Sequence, residues 1–489
     1  MSDQNHPLSI VVVGASGDLA RRKIFPALFA LYCQGHLPRD FNIFGFARST
    51  YTNDEFRNRV REKLTCRYVP GESCEDRMTE FLARCFYAGG RYASGNSFLD
   101  LFQVMQKTEN TRETNRFFYL AIPPSIFMDV ARAIGDAGLV SCGTKTPWSR
   151  VVIEKPFGRD RKSSDTLTAA LANVFTEEQT YRIDHYLGKE AIQNLMVLRF
   201  ANLIFDPIWN RDYIDRVCIN WKEDIGVEGR GGYFDQYGIV RDVVQNHLLQ
   251  ILALVAMDRP ASAGARHVRD EKIKVLQSIA PLTPDNILIG QYGPGKHGSG
   301  NHPGYTEDES VPPDSLTPTY AAAVLHVNND RWRNVPFIVR AGKALDSRLN
   351  EVRVHFREAP GNIFAEAPGE NLPNEFVVRI QPDEALYLGI TNKKPGLAPA
   401  LAHEELNLRY KAAFDNPIPD AYECLLLDVM DGDKSLFIRS DELAAAWDIF
   451  TPVLHEIEER RIAPETYPFG SREPAGVHDF LTREKQSLL

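Results

Sequence analysis

The chain has 489 residues, 43% hydrophobic and 25% charged, the make-up of a soluble globular protein with room for two or three domains. Lys and Arg total 56 against 65 Asp and Glu, a net charge of −9. That balance argues against nucleic acid or an acidic membrane surface as partner, but leaves room for a small anion met by a few local cations. The apolar run 248–257 is broken by Gln250 and is shorter than the ~20 residues a bilayer span needs. Met1 to Leu8 has neither the basic start nor the apolar stretch of a secretory signal. Seven cysteines (Cys33, Cys66, Cys74, Cys85, Cys142, Cys218, Cys424) include no C-x-x-C pair, so we expect reduced thiols and a cytoplasmic location.

In chain order, 8–13 (LSIVVV) is a nearly all-apolar run, as a strand covered on both faces requires. Residues 42–47, 117–122 and 151–153 repeat that texture. Helical patterns fall between them at 19–34, 53–64, 76–86 and 125–137, with Pro26 expected to kink the first or force a local adjustment. Alternating buried strands and helices predict a Rossmann-type, doubly wound α/β domain over 1–175. After that the texture changes. Residues 188–205 and 231–257 read as long helices, and 281–318, rich in Gly, Pro and Ser, as a long surface loop. Strands then follow one another at 320–327, 336–340, 352–356 and 376–380. Strands in a row predict a larger α+β domain over 176–489 with a mainly antiparallel sheet.

The first strand runs into Gly14-Ala15-Ser16-Gly17-Asp18-Leu19-Ala20. A strand, a glycine turn and a helix start are what a dinucleotide pyrophosphate needs: close backbone approach and N–H groups facing negative charge. The spacing is G-x-x-G-x-x-A rather than G-x-G-x-x-G. Arg48 follows the second strand, where an NAD-selective site usually carries an acid. An arginine there suits a 2′-phosphate, which points to NADP with NAD as the weaker alternative. Gly290–Lys296 formally begins a P-loop, but His297 replaces the magnesium-binding hydroxyl, so it is assigned to the loop. No H-E-x-x-H and no G-x-S-x-G occurs, and no metal is expected.

Tyr181–Glu190 (YRIDHYLGKE) is dense in polar groups. His185 and Lys189 would share a face if the following helix reached back to include both, a good arrangement for a phosphate monoester. On the second long helix Asp242 and His247 lie with Arg241 and Asn246. Taking hydride from an alcohol requires loss of the hydroxyl proton, and an imidazole paired to a carboxylate suits that task near neutral pH. Asp184 is the candidate partner.

These motifs together resemble the glucose-6-phosphate dehydrogenase family. They are Gly14–Lys23 (GASGDLARRK), Arg48, Glu154–Gly158 (EKPFG), Arg182–Glu190 (RIDHYLGKE), Gly232–His247 (GYFDQYGIVRDVVQNH) and Val335–Leu345 (VPFIVRAGKAL). The resemblance covers nearly the whole chain. It implies oxidation of β-D-glucose 6-phosphate at C1 to 6-phosphoglucono-δ-lactone with hydride transfer to NADP. It further implies His247 as general base with Asp184 as its partner, and His185, Tyr186 and Lys189 at the 6-phosphate. Glu223 and Asp242 would hold sugar hydroxyls, Lys155 would lie between sugar and nicotinamide, and Lys343 and Arg348 would complete the substrate pocket. A homodimer or homotetramer is also implied. Some members hold a second, structural NADP. Arg353, Arg379 and Gln381 match that neighbourhood, but Leu349 and Gly389 stand where those members carry cations, so we expect this site to be absent or degraded. The alternatives are another Glu-Lys-Pro-containing sugar dehydrogenase, or a non-catalytic NADP sensor, which would need damaged catalytic positions.

Overall fold

The computed structural model describes residues 6–69, 71–109, 114–140, 147–415 and 417–486, so the readings of Cys142 and of both chain ends lie outside the described residues. The chain divides into two compact units. The first comprises Met1–Gly188, Ser262–Arg269 and Pro419–Leu443; the second holds Lys189–Ala261, Asp270–Ile418 and Ala444–Leu489. The chain therefore passes from the first unit at Gly188, later than position 175, and two short later segments return to it.

In the first unit, β1 (Leu8–Val13), β2 (Phe41–Ala47), β3 (Cys85–Gly89), β4 (Asn115–Leu120), β5 (Ser149–Ile153) and β6 (Thr180–Ile183) form a parallel sheet. A two-residue strand from the late return, β17 (Phe437–Ile438), adds antiparallel to β6. Across the sheet the order is β17-β6-β5-β4-β1-β2-β3. Every residue of β1 is buried, as strands covered on both faces require. The chain leaves β1 towards β2 on one side and β4 on the other, which makes the end of β1 the topological switch point of the sheet.

The Pro26 adjustment is a change of helix type. Ala20–Ile24 forms a wide turn in which the Phe25 amide reaches back five residues to the Ala20 carbonyl, before an α-helix over Phe25–Cys33. Pro26 has no N–H for an ordinary i→i−4 bond and its ring would crowd the carbonyl four residues back, so widening the preceding turn relieves both problems.

Residues 76–86 are not one helix. The helix is Gly71–Ala83, and Cys85–Gly89 is strand β3. A short run such as Cys85-Phe86-Tyr87 carries no periodicity that separates the two readings, and pairing with β2 decides it. The reading of all cysteines as reduced thiols is also corrected: Cys66 and Cys74 are joined in a disulfide, their Cα atoms 5.8 Å apart. The eight-residue separation places one in the loop and the other in the helix that begins at Gly71, a local closure that a search for C-x-x-C passes over. Cys33, Cys85, Cys218 and Cys424 take no part in a disulfide.

The second unit is built on a nine-stranded sheet. Its strands are β7 (Ile214–Lys222), β8 (Ile287–Gly293), β11 (Tyr320–His326), β12 (Pro336–Gly342), β13 (Leu349–Phe356), β14 (Glu375–Gln381), β15 (Ala385–Lys393), β16 (Leu401–Arg409) and β18 (Glu465–Pro468). They run in the order β16-β15-β14-β13-β7-β12-β11-β8-β18. Pairing is antiparallel except for β7 with β12 and β8 with β18. Two expectations change here. Residues 281–318 are not one loop, because they contain β8 and a small hairpin of β9 (Gly295–His297) with β10 (Gly300–His302). Gly290 to Gly293, the start of the P-loop-like pattern, therefore lies in a sheet strand; the flanking Gly and Pro mask the apolar run at its head. Residues 231–257 are not one helix either. After Gly231–Phe234, Gly238 takes a φ of +67°, and the chain resumes as a wide-turn helix over Val240–Leu248 and an α-helix over Leu249–Ala256. No helix among the described residues is long and apolar enough to cross a membrane.

Candidate active site

In the first unit, every candidate residue lies just beyond the C-terminal end of a parallel strand. The glycine turn follows β1, Arg48 follows β2, Lys155 lies two residues past β5, and Asp184-His185-Tyr186 follow β6. That edge is where open α/β sheets bind ligands, with the phosphate cradle at the switch point. Gly14 has φ +91°, and a Cβ there would lie 2.1 Å from the Ala121 carbonyl oxygen, so only glycine fits between β1 and the end of β4. The Gly14 amide donates to the Phe46 carbonyl at 2.8 Å and the Gly17 amide to Gly14 at 2.8 Å, which fixes the turn. Ser16 accepts from the Ser49 hydroxyl at 3.3 Å, tying the turn to the segment after β2. Asp18 pairs with Arg22 at 2.8 Å, and Leu19 and Ala20 lead into the wide turn. Arg48 is exposed, its guanidinium 5.6 Å from the centre of the Tyr92 ring. The glycine turn after the first strand fits the pyrophosphate of a dinucleotide.

Asp184 is buried and its Oδ1 accepts the Tyr186 amide at 2.9 Å, which closes the tight turn carrying His185. Helix formation begins only at Glu190, with Lys189 as its N-cap, so the helix does not reach back to His185. The two are displayed by a turn and a helix start, not by one helical face. Lys155 is half-buried, and its bond to Pro156 is cis. Before it, Glu154 is buried and accepts the Tyr119 hydroxyl at 2.5 Å and a second hydrogen bond from Tyr422. Burial raises the Glu154 carboxyl above its ordinary range, while the two phenols pull it down.

The second unit supplies the other candidates. Because β7 and β12 are parallel neighbours with Lys222 opposite Gly342, the next residues, Glu223 and Lys343, emerge side by side. Lys343 Nζ donates to Glu223 Oε2 at 2.6 Å and lies 5.4 Å from the rings of Trp221 and Phe234. The wide-turn helix packs on β11 and β12 and carries Asp242, half-buried, and His247, buried. Asn246 secures His247: its Oδ1 accepts the His247 amide at 2.6 Å and its Nδ2 donates to the Arg241 carbonyl at 2.9 Å. An altered helical turn beside a buried histidine is a common mark of a functional site. Arg348 is exposed just before β13.

The N-terminal part, residues 11–194, matches the family model "Glucose-6-phosphate dehydrogenase, NAD binding domain", and residues 196–488 match "Glucose-6-phosphate dehydrogenase, C-terminal domain". The chain belongs to the glucose-6-phosphate dehydrogenase family. It is 53% identical over 474 residues to the chloroplastic glucose-6-phosphate 1-dehydrogenase 1 of Arabidopsis thaliana, covering 96% of this chain and 82% of that one. With the cytoplasmic isoform of Solanum tuberosum it shares 47% over 485 residues, 97% of this chain and 91% of that one. A solved glucose-6-phosphate dehydrogenase in complex with its substrate glucose 6-phosphate superposes with a TM-score of 0.91 at 42% identity, covering 98% of each chain. The expected fold class and family are thus established, and the alternative of a different sugar dehydrogenase falls away. Membership makes the chain a dinucleotide-dependent oxidoreductase. The sequence reading missed Tyr119 and Tyr422 beside Glu154; apolar neighbours of Tyr119 and the distance of Tyr422 along the chain leave no local signal.

Proposed function

We propose that this protein oxidises β-D-glucose 6-phosphate at C1 to 6-phosphoglucono-δ-lactone, passing the hydride to NADP. The observation that supports it most is the match of both halves to the two domains of one family. The nicotinamide, when bound, supplies the hydride acceptor. Everything else falls to the chain. The turn Gly14–Ala20 receives the pyrophosphate and Arg48 the 2′-phosphate. His185, Tyr186 and Lys189 hold the 6-phosphate, Glu223 and Asp242 accept from sugar hydroxyls, and Lys343 and Arg348 complete the pocket. Lys155 orients sugar and nicotinamide. His247 takes the C1 hydroxyl proton as hydride leaves, and Asp184 steadies the imidazolium that forms.

No second, structural NADP is part of this reading. Arg353 is already held by Glu351 at 2.5 Å and Glu375 at 3.0 Å, so it is committed to carboxylates rather than free for a phosphate. At Gly389 a Cβ would lie 2.6 Å from the His403 ring and 3.0 Å from Glu375, which leaves no room for the cation other members carry. Stoichiometric retention of a second NADP by the purified protein would contradict this. We further propose a homodimer or homotetramer in the cytoplasm, checked by mass measurement in solution and by fractionation. The activity itself is tested by NADPH formation from glucose 6-phosphate, repeated with NAD and with unphosphorylated glucose. Preference for the phosphate ester and for NADP is the expected result.

A further inference from the structure

The helix Ala421–Asp431 belongs to one of the late segments that return to the first unit, and its first turn is pressed against the site residues. Gly188 shows how closely: a Cβ there would lie 2.6 Å from the Ala421 carbonyl oxygen and 2.9 Å from Leu425. Asp420 caps the helix by accepting the Tyr422 amide at 3.0 Å, and its other oxygen meets Lys23 at 3.0 Å. This fixes where the Tyr422 ring points. The ring lies parallel to the His185 imidazole, 8° between planes and 6.2 Å between centroids, a stacking geometry. Its hydroxyl bonds the buried Glu154 carboxyl, the residue directly before Lys155.

We infer that Tyr422 is a positioning residue with two separable duties. Its ring orients His185, and its hydroxyl anchors the Glu154-Lys155-Pro156 turn. The inference rests on the proposed reading of His185 as a 6-phosphate ligand and Lys155 as a contact between sugar and nicotinamide. Neither duty needs Tyr422 to touch substrate. The groups facing Glu154 are Tyr119 from β4, Tyr422 from the helix, the adjacent Lys155, and Asp184 after β6. Removing one phenol leaves burial less opposed and shifts the carboxyl further towards its neutral form.

The test compares wild type, Tyr422→Phe and Tyr422→Leu in steady-state NADPH formation across pH. Tyr422→Phe keeps the ring and loses the hydroxyl. Its KM for glucose 6-phosphate should stay within about twofold while kcat falls about tenfold, the scale of one hydrogen bond to a charged group. The acid limb of its kcat profile should move to higher pH. Tyr422→Leu removes the ring as well, and its KM should rise about tenfold further. Should Tyr422→Leu not fold, Tyr119→Phe supplies the second arm: it should reproduce the kcat loss and the pH shift without touching KM. Identical changes in kcat and KM for the two Tyr422 variants, or an unmoved acid limb in Tyr422→Phe, would overturn the inference. A wild type that does not oxidise glucose 6-phosphate would instead remove the reading beneath it.

Discussion

Lys343 donates to Glu223 at 2.6 Å, and the two residues follow directly on paired positions of parallel strands β12 and β7. Parallel pairing brings both C-terminal ends to the same edge, so a cation and a carboxylate 120 positions apart meet without any loop having to find the geometry. Each is mostly shielded from solvent, which strengthens the pair relative to a surface ion pair. Lys343→Ala and Glu223→Ala are each expected to lower kcat/KM about tenfold or more, because each also strands its partner. The double variant should lose less than the product of the two. Strict additivity in the double-mutant cycle would show that the pair does not act as a unit.

Arg48 stands exposed beyond β2, beside the turn that carries Gly14. If it meets the 2′-phosphate, Arg48→Ala should raise KM for NADP about tenfold or more, the scale of a charge-assisted hydrogen bond, and leave KM for NAD nearly unchanged. Equal effects on the two dinucleotides would remove Arg48 from that role.

Asp428 gives a pH prediction. Burial, reinforced by the neighbouring Asp433 and Asp431, pushes its carboxyl from 3.8 up to about 7. The folded state therefore holds a proton over a range in which the unfolded chain has released it. Folded stability from this group is full below the usual carboxylate range and is lost as pH rises towards 7, on the order of 4 kcal/mol in total. Asp428→Asn should melt higher than wild type at pH 8 and alike at pH 4, as read by thermal unfolding. A variant that gains nothing at pH 8 would contradict the shift.

The sequence carries the first unit well where signals are local. The β1 strand, its glycine turn and Arg48 lie where periodicity and turn chemistry put them, and Asp184 to Lys189 are one continuous motif. What it does not carry is long-range pairing. Tyr422 reaches Glu154 across 268 positions, and nothing in either segment announces the other. The strand Phe437–Ile438 is two residues long, too short for any pattern, and exists because β6 offers an open edge. The helix around His247 reads as continuous because its apolar spacing survives both Gly238 and the wide turn. Yet those irregularities set the angle at which His247 is presented.

His247 is the residue on which the proposed chemistry depends, and His247→Asn tests it most directly. NADPH formation from glucose 6-phosphate should be robust in the wild type and lower in the variant by about 10²–10⁴-fold, with binding of the sugar phosphate retained. A variant that turns over glucose 6-phosphate at near wild-type rate would contradict the assignment of the base.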